Sequence, residues 1–562
     1  MSAKLVNRRI RLLLFVFAAL FVVALARAFW LQAVRGPSLE AMATQQHTQT
    51  LVIPAGRGTI FDRNGVELAI GEQATTVYAD PRQVKDARAV AIAAQEVLGV
   101  DPNRLYAALQ SKTSHFVYVA RQADPIKAAL LEKKKLPGLG FYAEERRAYP
   151  QRNVAAHVLG YAGVDNHGLA GVEVALDQSL VGHPGSQTIV RDPLGTTLDV
   201  VKSTPERQGK SVVLSIDHTL QAQAEAVLRD TVKEWRAKAA AAVVLDPRTG
   251  EVLAMANAPG FDANKYPQAR PARQRNRAVT DTYEPGSTFK LVTVTGALGD
   301  RLVTPATKFN LPYEIRVADR VVHDAEKRPT EWFSVREILS RSSNVGAITL
   351  AEKLGKDRLS AWIDRFGFGK VTGIDFPGES PGILLAKENW SGSTIGNVPI
   401  GQGIAVTPLQ MATAYATIAN GGVRITPRLV QSIGGTATKA EKTRVVSAPL
   451  AHEVVGMLTN VVNEGTGKAA AIPGYVVAGK TGTAEKPDPR GGYAKGKYVA
   501  SFVGFVPARK PRFVVLVMVD EPQGAIFGAV VAAPAFQQIA RFALQYYEVQ
   551  PDAPASAPLP AT

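Results

Sequence analysis

The chain has 562 residues, 46% of them hydrophobic, which is too long for one ordinary domain and apolar enough for large cores. It contains no cysteine, which excludes thiol nucleophiles, cysteine-ligated metals and disulfides together. Its net charge of +16 is scattered, without a zinc, helix-turn-helix or RNA-binding signature, so the reading is no nucleic acid but anionic lipid, or a substrate carrying phosphates and carboxylates.

Residues 1–11 are polar and basic, with Lys4, Arg8, Arg9 and Arg11, and read as a short cytoplasmic tail. An apolar run follows, broken by Arg27 and resumed through Trp30, and predicts a single membrane-spanning helix over 12–33. The run is long and no small-residue cleavage site follows it, so it reads as an anchor rather than a signal peptide. Arg27 can snorkel to the interface, where Trp30 also belongs. Basic residues before the span place the N-terminus in the cytoplasm, and everything after about Val34 outside it, in the periplasm or cell-wall space.

Residues 45–205 read as a mixed α/β N-terminal domain. Arg57-Gly58-Thr59-Ile60-Phe61-Asp62-Arg63-Asn64-Gly65 predicts a strand entering an Asn-Gly turn. Helices are expected over 87–98 and 125–135. Gly168-Leu169-Ala170-Gly171-Val172-Glu173 ends in a carboxylate expected to pair with Arg57 or Arg63 at a domain junction; a solvated surface charge is the plainer alternative. Residues 206–238 read as a polar linker with a strand over 211–216 and a helix over 219–238.

The region 239–548 opens with a hairpin. Strands over 240–245 and 252–256 flank the turn Asp246-Pro247-Arg248-Thr249-Gly250. Three more strands are expected much later, over 476–484, 498–506 and 513–520, then a helix over 533–547. Early strands, a helical middle and late strands predict an α+β fold in which one five-stranded antiparallel sheet is flanked by helices. The Pro/Ala-rich residues 549–562 read as a disordered tail.

Three motifs stand in this region in fixed order: Ser287-Thr288-Phe289-Lys290, Ser342-Ser343-Asn344 and Lys480-Thr481-Gly482-Thr483. A serine hydroxyl is a poor nucleophile until a base takes its proton. Pro285-Gly286 precedes Ser287 and a helical stretch follows, so Ser287 is expected at a helix N-terminus with Lys290 on the same face. A lysine acts as base only when neutral. Burial and a second cation both favour the neutral form, and Lys480 is the expected cation. Taken alone, Ser287 reads first as an N-cap; the company of the other two motifs reverses that preference. Ser334-Val335-Arg336-Glu337 fits a capping box opening a helix to about 340, with a second helix over 345–354. Ser342-Ser343-Asn344 then falls at the break, where Ser342 can relay a proton and Asn344 can hold a substrate amide and a lysine. Gly482 lies in a strand, which marks a close approach there, and a substrate peptide lying along the strand edge is the expected neighbour. The backbone N–H groups of Ser287 and Thr483 can stabilise an oxyanion. Lys480, Thr481 and Thr483 can bind a carboxylate.

With these motifs the chain resembles the penicillin-binding proteins. Tyr283-Glu284-Pro285-Gly286, Pro408-Leu409-Gln410 and Ala500-Ser501-Phe502-Val503-Gly504-Phe505 carry the resemblance further, and the 57–65 segment is similar to the pedestal motif of class B members. The middle residue Ser343 stands where the family pattern often has Asp. The resemblance spans the chain from the membrane helix to about Tyr547. It implies an elongated α/β pedestal and a transpeptidase domain. The implied enzyme is a serine-type D,D-transpeptidase that cross-links peptidoglycan stem peptides by attack on D-Ala–D-Ala, and whose acyl-enzyme is resolved by a neighbouring amine. It makes Ser287 the nucleophile, Lys290 the base, Ser342, Asn344 and Lys480 catalytic partners, and Thr481, Gly482 and Thr483 the substrate strand, with β-lactams as inhibitors and no metal or cofactor. Within class B the chain is most similar to the FtsI division type. That type implies a SEDS-family glycosyltransferase and other division proteins as partners. Pro399-Ile400-Gly401-Gln402-Gly403-Ile404-Ala405-Val406-Thr407 departs from the Phe-Gly-Tyr-Gly pattern of many relatives and leaves elongation open. A D,D-carboxypeptidase, a serine β-lactamase and a non-catalytic β-lactam-binding scaffold share the motifs.

Overall fold

The computed structural model describes residues 3–38, 48–111, 113–191 and 197–553. They fall into two units, one within 1–56 and 182–209, the other within 57–181 and 210–562.

In the first unit, helix α1 (Ala3–Phe29) runs into a π-helical turn, Trp30–Val34. Val6–Val34 is long and apolar enough to cross a membrane, the single such helix among the described residues. Its Leu, Val and Phe side chains stand exposed, as a lipid-facing helix requires. The helix takes in residues 3–11 of the expected tail, because Lys and Arg are good helix formers and nothing there interrupts the turn. The same unit holds an antiparallel three-stranded sheet of Thr48–Ile53, Gly185–Arg191 and Thr197–Thr204, with the second strand central.

The second unit begins with a sheet built on Glu67–Ala79, which pairs with Ile60–Phe61, Val117–Ala123 and Leu139–Ala148. Helices Ala87–Leu98, Pro102–Gln110 and Pro125–Glu132 pack beside it, each opened by an aspartate (Asp86, Asp101, Asp124) that accepts two backbone N–H groups. The last of these stops short of the expected 135, where Lys135 turns to a φ of 48°. The Asn64-Gly65 turn forms as expected, with Gly65 at φ 85° and the Asp62 carboxylate accepting from Asn64 N and Val66 N at 2.7 and 2.8 Å. Glu173 is fully buried. It receives Arg57 Nε at 2.7 Å, Arg147 Nε at 2.6 Å and the Tyr149 hydroxyl at 3.3 Å. The expected Arg57 pairing is therefore present, and the surface-charge alternative is not. Arg63 turns instead to Glu251, at 3.5 Å.

The strand expected over 211–216 is the buried Val212–Leu214. It pairs in parallel with Ile60–Phe61 and antiparallel with Val430–Ile433, so this stretch is sheet interior rather than a loose connector. Helix α2 (His218–Glu234) follows, capped by Asp217.

Strands β1 (Ala239–Leu245), β2 (Val252–Ala258), β3 (Ala478–Pro487), β4 (Tyr493–Val506) and β5 (Phe513–Asp520) form the five-stranded sheet, in the order β2-β1-β5-β4-β3, with every pair antiparallel. Both faces are covered, and the side chains alternate between them. Ala240, Ala242, Val244, Phe502, Val515 and Val517 pack with Leu220 and Leu228 of α2 and with Phe536 and Ile539 of the final helix, Ala533–Tyr546. Ala241, Val243, Leu245, Val503, Leu516 and Met518 face the helical middle of the chain. That middle comprises α3 (Lys290–Gly299), α4 (Val335–Ser340), α5 (Asn344–Phe366) and α6 (Pro408–Ala419). The chain end expected to be disordered is held at its start: Asp552 accepts from Val476 N at 2.8 Å and its own N–H donates to Gly474 O at 3.1 Å. Residues 554–562 of that tail lie outside the described residues.

Candidate active site

The site is built where α3, the α4–α5 break and β3 meet. Gly286, at φ 55°, starts a 3-10 turn, Gly286–Phe289, that runs into α3. A Cβ at Gly286 would lie 2.7 Å from Thr483 O, so only glycine lets this turn abut β3. The cap residue is Pro285, which makes no side-chain cap. Ser287 thus sits inside the first turn, with its hydroxyl free of the capping duty that would compete with chemistry. Three residues on, Lys290 is completely buried, and its Nζ lies 3.0 Å from Ser287 Oγ.

The expected capping box opens α4, Ser334 and Glu337 bonding each other's backbone N–H groups, and the α4–α5 break follows it. Ser342 adopts φ 61°, a left-handed conformation uncommon for a non-glycine residue. That conformation turns both its polar groups toward the lysines. Lys290 Nζ donates to Ser342 O at 2.6 Å and lies 3.3 Å from Ser342 Oγ, while Lys480 Nζ lies 3.0 Å from the same Oγ. Asn344 Oδ1 accepts from Lys290 Nζ at 2.7 Å. The middle residue, Ser343, points the other way: it caps α5 by accepting from Gly346 N at 2.9 Å and donates to Asp324, 3.0 Å from either carboxylate oxygen.

Asp324 is a residue the sequence reading missed. Its carboxylate accepts from Asn344 N at 2.6 Å and Val345 N at 3.1 Å, at the positive end of α5, and is paired with Arg328 at 2.6 Å. It fixes the backbone from which Asn344 reaches Lys290. Thr466 is a second omission, 2.9 Å from Thr481 Oγ1. Neither belongs to a local pattern, because each reaches its partner across a long stretch of chain.

On β3, Lys480 is completely buried and its Nζ also contacts Thr481 O and Oγ1, at 3.1 and 3.2 Å. Thr483 is half-buried, and its Oγ1 accepts from Gly528 N at 3.1 Å. The close neighbour expected at Gly482 is the chain itself: a Cβ there would lie 2.8 Å from Pro285 O and 2.9 Å from Thr288 Cγ2. Gly482 therefore seats the serine-bearing turn on β3. The close approach expected at this glycine is thus made by the chain's own backbone and side chains.

Burial sets the charge state. It pushes the Lys290 amine down to about 7, with Asp324 opposing the shift. Lys480 falls well below the ordinary lysine range, first by burial and then by repulsion from Lys290. The two amines repel each other, so each disfavours the other's charged form, and burial is the larger cause for both. Such an arrangement can hold a serine next to an amine that is neutral in part near pH 7, with a second hydroxyl bridging to another amine. Elsewhere, Asp62, Asp217 and His218 are the described residues grouped closely enough to hold a metal ion. Their polar atoms are already engaged: Asp62 accepts from His218 Nδ1 at 2.8 Å, and Asp217 caps α2.

Comparison with known proteins covers the whole arrangement. Residues 240–541 match the model of the penicillin binding protein transpeptidase domain, and residues 52–214 that of the penicillin-binding protein dimerisation domain. The chain is 34% identical over 559 residues to the probable peptidoglycan D,D-transpeptidase PenA of Neisseria gonorrhoeae, covering 98% of this chain and 95% of that one. It is 35% identical over 538 residues to the peptidoglycan D,D-transpeptidase FtsI of Escherichia coli K12, covering 94% and 90%. Among solved structures it is similar to penicillin binding protein 3 of Mycobacterium tuberculosis complexed with aztreonam, with a TM-score of 0.70 and 31% identity over 90% of this chain and 99% of that one.

Proposed function

Since the chain belongs to the class B penicillin-binding proteins and is a peptidoglycan D,D-transpeptidase, we propose that it works through a serine acyl-enzyme on Ser287. The observation that carries this reading is the run of contacts Ser287 Oγ, Lys290 Nζ, Ser342 Oγ, Lys480 Nζ, at 3.0, 3.3 and 3.0 Å.

Neutral Lys290 takes the Ser287 proton as Oγ attacks the carbonyl of the penultimate D-Ala. The negative oxygen of the tetrahedral intermediate is held by the N–H groups of Ser287 and Thr483, each such donor contributing roughly 3–4 kcal/mol. The C–N bond breaks, and the departing D-Ala amine receives its proton through Ser342, which bridges the two lysines. Asn344 orients Lys290 and the substrate amide. The amine of a second stem peptide then attacks the ester carbonyl and gives up a proton, through Ser342, to neutral Lys290; the C–O bond breaks, and Lys290 passes that proton to the departing Ser287 oxygen. A hydroxyl that accepts from Gly528 N still has its proton to donate, so Thr483 is the group that meets the substrate carboxylate. Thr481 is mostly buried and tied to Thr466 and Lys480; it supports that end from behind. Gly482 keeps the nucleophile turn against the strand. β-Lactams, which resemble D-Ala–D-Ala, acylate the same serine.

The apolar helix Val6–Val34, the one such span among the described residues, supports a one-pass anchor with the N-terminus in the cytoplasm and the catalytic unit outside. The similarity to FtsI-type chains supports a role at the division septum, with a SEDS-family glycosyltransferase and division proteins as partners. Localisation of a fluorescent fusion separates this from elongation: a septal band is expected, and uniform side-wall signal contradicts it. For the chemistry, fluorescent penicillin should label the wild type covalently and leave Ser287→Ala unlabelled. Label on another residue of the Ser287→Ala protein overturns the assignment.

A further inference from the structure

The motif residue Glu284 stands three places before Ser287 and takes no part in the reaction above. It is 8% exposed, yet among the described residues no lysine or arginine forms an ion pair with it. An unpaired carboxylate is costly to bury unless hydrogen bonds offset the loss of water. Here each oxygen has one. Oε1 accepts from Gly403 N at 2.9 Å, and Oε2 accepts from the Tyr493 hydroxyl at 3.0 Å. Gly403 belongs to the loop that follows the turn Val398–Ile400, and Tyr493 opens β4 just past the β3–β4 hairpin. One side chain thus ties the nucleophile turn to two segments more than a hundred residues away.

The same loop grips the turn through its backbone. Tyr283 N donates to Val406 O at 3.0 Å, Val406 N to Tyr283 O at 2.9 Å, and Gly286 N to Gly401 O at 3.0 Å. On its other side the turn abuts β3 at Gly482 and Thr483. The carboxylate closes this frame: it is the link among these that reaches from the loop through the turn to the hairpin.

We propose that Glu284 is a positioning residue for the acyl transfer, a clamp that holds the Ser287 hydroxyl and N–H in place against the 401–406 loop and the β3–β4 hairpin. The proposal rests on the serine reading above. A misplaced nucleophile loses rate more than affinity, since the substrate strand itself is untouched.

The test is the acylation of the full-length protein by a fluorescent penicillin, resolved into the dissociation constant of the first complex and the rate constant of acylation. Glu284→Ala should slow acylation about ten- to a hundredfold while the dissociation constant changes less than about threefold. Glu284→Gln should recover most of the rate, because its Oε1 can accept from Gly403 N while Nε2 donates to the Tyr493 oxygen. Tyr493→Phe should slow acylation by a smaller factor, and adding it to Glu284→Ala should cost nothing further. If Glu284→Ala does not fold, Tyr493→Phe carries the test alone. Wild-type rates in the folded Glu284→Ala or Tyr493→Phe protein, a loss confined to the dissociation constant, or independent losses in the double variant would overturn the clamp and leave the serine reading standing. A wild type that penicillin does not acylate would overturn both.

Discussion

Two clusters of charge are buried in the same unit of this protein, and they are built on opposite terms. Around Glu173, two arginines and a tyrosine hydroxyl converge on one carboxylate, and Asp177 gives Arg57 a second, so two cations meet two anions, although Arg147 Nη1 and Nη2 find no acceptor. Around Ser342, two amines of like sign share one hydroxyl, with no carboxylate in direct contact with either. In the first cluster each buried charge has a counter-charge that offsets its lost hydration. The second is held in a state that water would not favour, and the amines respond by shedding protons. Buried charge that is paired ties a fold together, whereas buried charge left unpaired is stored reactivity.

The comparison breaks most visibly at Lys290. Lys290→Met should lower the acylation rate by roughly a thousandfold or more, as loss of a positioned base does. The unfolding temperature should stay level or rise, because the variant no longer buries an amine that is charged in the unfolded chain. A fall of several degrees would mean that Lys290 holds the fold and that the contrast is false. Glu173→Ala should behave in the opposite way. Leaving Arg147 without its carboxylate, and Arg57 with Asp177 alone, should cost roughly 3–5 kcal/mol in a denaturant titration, while the fraction still folded acylates at close to the wild-type rate.

The next effect is in pH. Lys290 serves as base only when neutral, and its amine sits at about 7. Below that pH the neutral fraction falls tenfold per unit, so the acylation rate should fall tenfold per unit on the acid side and level off on the alkaline side. A rate unchanged between pH 5 and pH 8 would remove Lys290 from the role of base.

How far these clusters could be read from sequence differs with their range. The five strands were legible because β-branched and apolar runs mark them, and β5 falls on the expected 513–520. β4 begins five residues before its expected start because Tyr493-Ala494-Lys495-Gly496-Lys497 is polar and glycine-broken; pairing with β3 through Pro487 and Tyr493 holds it extended. α5 runs to Phe366 rather than 354 because Gly355 breaks the pattern at φ 74°, although the chain resumes its helix beyond that kink. The reacting residues could be read because they sit in three short motifs. Asp324, Thr466 and the partners of Glu284 could not, since each matters through a neighbour supplied by tertiary folding. Gly482 shows a third case: its glycine correctly marked a close approach, but composition does not say whether the neighbour is a ligand or the chain's own turn.

The smallest effect expected sharpens the contrast best, because it concerns a carboxylate that acts on Lys290 without touching it. Asp324 holds the Asn344 backbone and, through its charge, resists the fall of the Lys290 amine. In Asp324→Asn the amide oxygen can still accept from Asn344 N, so the geometry is largely kept while the negative charge is lost and Arg328 is left without its pair. Both changes disfavour the ammonium form of Lys290. The acid limb of the acylation profile should therefore move to lower pH, by less than about one unit, with the alkaline plateau lowered only a few-fold. A shift toward higher pH would show that Asp324 acts on Lys290 by placing Asn344 rather than through its charge, and an unmoved limb with a collapsed plateau would point to the same conclusion.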